Sequence, residues 1–154
     1  SILIVFRDGA YGFMDMTSAP ISPFEFDEVR PWSDSSAMVR KNFRWMVYSV
    51  YDRNVSHEQI KDYRLIKDTQ EEKIAIIHKG NEYGVLSSTR GLVIPPTFSD
   101  VLNLGTAEKP LYFTEKNVEE AEIFVVIYYD ENGQMIRRQI YEADEYDRIF
   151  CRRN

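Results

Sequence analysis

Three observations predict an all-β protein built from antiparallel β-hairpin repeats. The first is internal repetition. Residues 2–29 lie on residues 74–101 at an offset of 72 without a gap, and eight positions are identical, among them Tyr11/Tyr83, Gly12/Gly84, Pro23/Pro95 and Phe26/Phe98. The identities fall on apolar and turn positions, where a shared backbone demands them. The second is punctuation. Asp8-Gly9, Lys79-Gly80-Asn81 and Asp130-Glu131-Asn132-Gly133 each separate two apolar runs, and Gly, Asn and Asp accept the positive φ of a hairpin turn at low cost. The third is residue type: ten Tyr, nine Phe and two Trp in 154 residues favour a pleated, half-buried surface.

The elements follow in order. An apolar strand over 2–6 meets Asp8-Gly9, and a second strand runs through Tyr11-Gly12-Phe13-Met14. Pro20 and Pro23 then keep the third strand short or at an edge, since proline cannot donate to a ladder. The next apolar run is Trp45-Met46-Val47-Tyr48. Beyond it, Ser56-x-x-Gln59 has the spacing of a capping box and predicts a short helix as far as Tyr63. Residues 74–101 then repeat the opening: strand, turn at 79–81, strand over 83–86, turn at Thr89-Arg90-Gly91, and a third strand ending on Pro95-Pro96. One helical turn is predicted at 118–122. The clearest hairpin is 123–129 against 134–141.

The stretches between the two copies echo each other as well. Residues 45–54 resemble 124–133 at a longer offset, which places an insertion near 116–122, with Phe124 in the place of Trp45. Residues 62–66 resemble 145–149, so the chain is predicted to close on a strand. The period of 72 thus divides into halves of about 36 residues, giving four units in two pairs: 1–35, 36–72, 73–107 and 108–154. They form one repeat domain, elongated or propeller-like, and the strand that begins beside Ser1 reads as part of a longer array.

Composition narrows the function classes. A net charge of −6 disfavours sequence-independent nucleic-acid binding and docking on an anionic membrane surface. No apolar run reaches the length of a membrane helix. The single cysteine, Cys151, allows no internal disulfide. It is read as a half-buried thiol of a terminal strand.

Residues that might carry chemistry are few. His57 and His78 stand without a visible partner for acid–base work, and no metal-ligand spacing occurs. There is no nucleophile elbow and no phosphate-cradling glycine loop. The acidic clusters Glu25-x-Asp27-Glu28, Glu119-Glu120-x-Glu122 and Glu142-x-Asp144-Glu145 supply carboxylates, and a glycosidase needs two held at a set separation. Alternation with Phe26, Ala121 and Tyr146 reads instead as solvated strand and turn faces. No catalytic, cofactor or metal residue is assigned. Aromatics are the remaining candidates. Tyr11, Trp45, Tyr83 and Phe124 hold equivalent repeat positions and are expected in the core. Trp32, in an Arg-Pro-Trp-Ser-Asp loop, is expected to be exposed and to bind a partner. So is one of Tyr128 and Tyr129, whose rings must point to opposite faces of a strand.

The third unit, with Lys79-Gly80, Tyr83-Gly84, Gly91, Ile94-Pro95-Pro96, Phe98 and Asp100-Val101, resembles the WG-repeat family, also called KWG repeats. The first unit, with Arg7-Asp8-Gly9, Tyr11-Gly12, Pro23, Phe26 and Val29, follows it. Trp45-Met46 and Phe124-Val125 depart from the signature dipeptide, and Trp-Gly itself never occurs. The resemblance implies an all-β repeat array with no shared catalytic residues. In physical terms, the glycine after the aromatic admits a neighbouring backbone or ring, and stacked units complete each other's core. The expected function is a non-catalytic module that binds a protein or peptide. The alternative is a carbohydrate-binding or carbohydrate-acting protein using exposed aromatics and acidic clusters.

Overall fold

Every strand pairs antiparallel with at least one neighbour in sequence, as short polar turns between apolar runs require. The computed structural model describes residues 2–150; Cys151 lies outside the described residues. The strands are β1 (Ile2–Arg7), β2 (Ala10–Asp15), β3 (Glu28–Ser33), β4 (Ser36–Lys41), β5 (Arg44–Ser49), β6 (Asn54–Asp68), β7 (Lys73–Lys79), β8 (Glu82–Ser87), β9 (Gly91–Phe98), β10 (Asp100–Asn103), β11 (Tyr112–Val118), β12 (Ile123–Tyr129) and β13 (Met135–Glu142), followed by one helix, α1 (Ala143–Ile149). They form a two-stranded sheet β1-β2, a seven-stranded sheet β3 to β9 and a four-stranded sheet β10 to β13. None closes on itself, so the fold is all-β, antiparallel and open-sheeted.

The offset of 72 is preserved in the ladders. Phe6 faces Tyr11 as His78 faces Tyr83. The isolated bridges Tyr11 to Phe26 and Met14 to Pro20 repeat the pairs Tyr83 to Phe98 and Leu86 to Leu92. The close approach expected at glycine is present in both copies. A Cβ on Gly84 would lie 2.6 Å from the Ile94 carbonyl oxygen and 2.7 Å from the Pro96 nitrogen; on Gly12 it would lie 2.8 Å from the Phe24 ring.

Long strands join the hairpins. The first half of β6 bonds to β5 and its second half, from Ile60 onward, bonds to β7. The capping-box spacing of Ser56 and Gln59 therefore makes no helix. A helix there would strip both neighbouring strands of their ladder partners, and buried backbone groups must be paired. Instead the strand bulges, with His57 at φ 49° and Gln59 at φ 64°. The predicted helical turn near 118–122 is present as a 3-10 turn, Glu119–Ala121, at the tip of the β11–β12 hairpin. Residues 145–149, predicted as a strand from their echo of 62–66, are helical in α1. The Phe124 equivalence also shifts. Trp45 faces Arg40, which faces Glu28; along the matching ladders Val126 faces Glu115, which faces Asp100. Phe124 matches Trp45 only in its distance from the turn, because the insertion lengthens this hairpin.

Among the described residues, four clusters form the core. Trp32, Met38, Trp45, Ile60 and Ile77 pack between the second and third hairpins, and Ile74, Ile76, Val85, Phe98 and Tyr112 between the third and fourth. Phe13, Phe26, Val39 and Tyr48 join the first two hairpins, and Phe113, Phe124, Val126 and Tyr146 bind α1 to the last sheet.

Candidate functional site

Trp32 is 4% exposed, which corrects the expectation of a solvent-facing loop. Arg30-Pro31-Trp32 is strand, not loop. Pro31 is tolerated because β3 is the edge of its sheet, and a ladder irregularity between Pro31 and Ser33 accompanies the turn of Trp32 into the core beside Tyr63, ring centroids 6.3 Å apart. Tyr128 and Tyr129 do face opposite ways. Tyr128 packs edge-on against Phe113 at 5.6 Å and Tyr129 against Phe98 at 5.9 Å. Both are half-buried, so neither stands free on the surface.

The acidic clusters divide. Glu25 pairs with Lys41 at 2.9 Å, and Glu28 with Arg30 at 3.0 Å. The other two clusters converge: Glu119, Glu122, Glu142, Asp144 and Asp147 line one open groove of about 770 Å³ between the β11–β12 tip and α1. No group of three or more His, Cys, Asp or Glu side chains able to hold a metal ion occurs among the described residues. His78 stacks on Tyr83 at 4.2 Å and approaches Asp62 at 4.0 Å. Burial, and then the charge of Lys79, lower the pKa of His57.

A second groove, of about 680 Å³, has a different character. Its floor is apolar: Ile21, Pro23, Phe26, Met46 and Tyr48. Its rim carries Glu25, Lys41 and Arg44 on one side and Arg53, Glu58 and Gln59 on the other. Tyr48 Oη donates to the Ile21 carbonyl at 3.3 Å and fixes the floor. In the second pair of units Gly133 approaches Val93, the counterpart of Ile21, so closely that a Cβ would sit 2.3 Å from its carbonyl oxygen.

Backbone strain gathers around this groove. Of the eight non-glycine residues with positive φ among the described residues, Asn42, Arg53 and Gln59 line it, and Phe43 and His57 adjoin them in sequence. Phe43 is the outlier of most interest. It holds φ 64° at the tip of the β4–β5 hairpin and is 73% exposed. The Arg40 guanidinium lies 5.3 Å from its ring. A left-handed residue with a side chain costs about 1–2 kcal/mol, which an exposed cation–π contact of about 0.5–1 kcal/mol does not offset. Strained residues that the surrounding fold over-determines cluster at ligand-binding sites. Sequence reasoning passed over Phe43, yet a signal was there: Phe stands in the loop position that Gly9 and Asn81 hold in the sister hairpins.

Among family models, the one described as WG containing repeat matches residues 11–45. The match runs from Tyr11-Gly12 to Trp45, across one wall of this groove, and bears out the WG-repeat resemblance. No curated protein and no solved structure matches the chain.

Proposed function

We propose that this chain, which carries a WG-containing repeat, is a non-catalytic interaction module that binds a segment of a partner protein in the groove between the β4–β5 tip and the bulge of β6. The observation that carries this reading is the strain itself. Phe43, Arg53, His57 and Gln59, side chains that resist positive φ, all hold it at or beside one apolar-floored groove, while Asn42 beside Phe43 accepts it at low cost. The mixed rim of Glu25, Lys41, Arg44, Arg53 and Glu58 suits a polypeptide with both charge signs, and the exposed Phe43 beside it would offer an aromatic contact of a kind enriched at interface cores.

The test compares the parent with Phe43→Gly and Met46→Lys. Phe43→Gly relieves the left-handed strain, so urea unfolding should show it more stable by about 1 kcal/mol. Proteins captured by the parent should be lost from both variants in quantitative affinity purification. Equal capture by all three removes the groove from consideration. Binding of a glycan array instead, abolished by the same substitutions, would transfer the groove to the carbohydrate reading.

A further inference from the structure

The charges on the rim of the apolar-floored groove do not all neutralise one another. Glu25 and Lys41 pair at 2.9 Å. Arg44, Arg53 and Glu58 enter no ion pair among the described residues; the Arg44 guanidinium donates to the carbonyl of Phe43 at 3.0 Å. The fold sets their order. Arg44, Met46 and Tyr48 alternate along β5, so they share one face, and all three line the groove. Arg53 lies at the far end, in the turn closed by the Ser49–Asn54 pair. Burial raises the pKa of Tyr48 and the charge of Arg53 opposes that rise, so this guanidinium stands near the floor. Glu58 is midway, on the β6 bulge between the pairs Trp45–Ile60 and Val47–Ser56, across from Met46. From end to end the groove is positive, then apolar with one carboxylate beside it, then positive. At about 3.3 Å per residue the two arginine positions are about 20 Å apart.

We infer that the segment bound here is extended and carries two acidic residues about six positions apart, with apolar side chains between them. This rests on the groove being the docking site and adds the chemistry of its partner. Each arginine offers a planar fork of donors to a carboxylate. Met46 and Tyr48 receive the apolar centre. Glu58 repels a carboxylate placed at that centre, which confines the acidic residues to the two ends and rejects a uniformly acidic segment.

The probe is a display library of random peptides, screened against the whole chain, with the enriched peptides then titrated by fluorescence anisotropy. Enriched sequences should carry Asp or Glu on both sides of an apolar centre. Arg44→Glu and Arg53→Glu should each weaken such a peptide about tenfold without moving the urea midpoint, and a peptide with lysine in place of the facing acid should regain affinity for the matching variant. Enriched peptides without acidic residues, or equal affinity for the parent and both charge-reversed variants, overturn this inference and leave the groove as the docking site so long as Met46→Lys abolishes binding. Failure of the parent to enrich any peptide, or binding that Met46→Lys leaves intact, removes the docking reading and this inference with it. Binding of polygalacturonate in preference to every peptide, lost in both arginine variants, assigns the two arginines to an acidic glycan instead.

Discussion

Gly12 and Gly84 occupy one repeat position but differ in what they touch. At Gly84 an added Cβ meets backbone, the Ile94 carbonyl oxygen and the Pro96 nitrogen; at Gly12 it meets the Phe24 ring. A ring can swing aside and a strand backbone cannot. Gly84→Ala should therefore cost about 2–3 kcal/mol, the upper range for overpacking, and Gly12→Ala about half of that. Urea unfolding of both variants measures the ratio; equal losses would mean that the ring at residue 24 is as rigid as backbone. The close approach was legible because Tyr-Gly recurs at fixed spacing. Trp32 was not legible. Proline, serine and aspartate around it read as loop, and only the position of β3 at a sheet edge makes Pro31 acceptable in a strand. Tyr112 is a further case: its hydroxyl is buried, bonded to no protein group, and pushed by burial up to about 12, none of which a repeat pattern announces.

At the scale of the element, one device recurs wherever the second strand of a hairpin turns into the next strand. An Asp or Ser closes that strand and accepts backbone N–H groups of the turn: Asp15 from Thr17 and Ala19, Ser49 from Asp52, Ser87 from Thr89 and Arg90, Asp130 from Asn132 and Gln134. Glu72 adds a tie between turns. Its carboxylate accepts from Ser87, Thr89 and Arg90, and Arg90 reaches on to the Glu131 carbonyl at 2.9 Å. Burial alone would raise its pKa, but the bonds from Ser87, Arg90 and Thr89 outweigh it and hold it down to about 2, from 4.5. With the folded value depressed, the stabilisation is complete above the unfolded value and is lost as pH falls towards the folded one. Discounting for the partly exposed Arg90, Glu72→Gln should cost about 2 kcal/mol at pH 7. The deficit should close between pH 4.5 and about 2. Denaturant midpoints from pH 7 downward follow this; a constant deficit would assign the loss to packing. The turns were legible from Gly, Asn and Asp. The fates of residues 56–63 and 145–149 were not, because they are decided by neighbours. The first segment has a strand on each side to satisfy, while the second, past the last ladder, meets its backbone hydrogen bonds within a helix.

Across the described residues the first and last hairpins are unlike. In the last, α1 lays Tyr146 on Phe124, and its first amide, Ala143, donates to the Glu122 carbonyl at 2.9 Å, so that hairpin is covered on one face. In the first, β1 has a single ladder among the described residues and exposed Leu3, Ile4 and Phe6. Local opening is cheapest where few buried apolar contacts must be broken. The β1–β2 hairpin should thus open without the seven-stranded sheet, whose inner strands each lose two ladders and two packed faces on opening. Native-state hydrogen exchange of the monomer should find the bonded amides of β7 at least about a hundredfold slower than those of β1, a difference near 3 kcal/mol in opening free energy. The amides of β5 and β8 should group with β7. Because β1 and β7 share register and a two-residue turn, any gap between them measures mainly what β6 contributes to its neighbour. Equal protection of the two strands would mean that the first hairpin draws its stability from its own turn and from Phe13 and Phe26 beneath it, and that the flanking strand adds little.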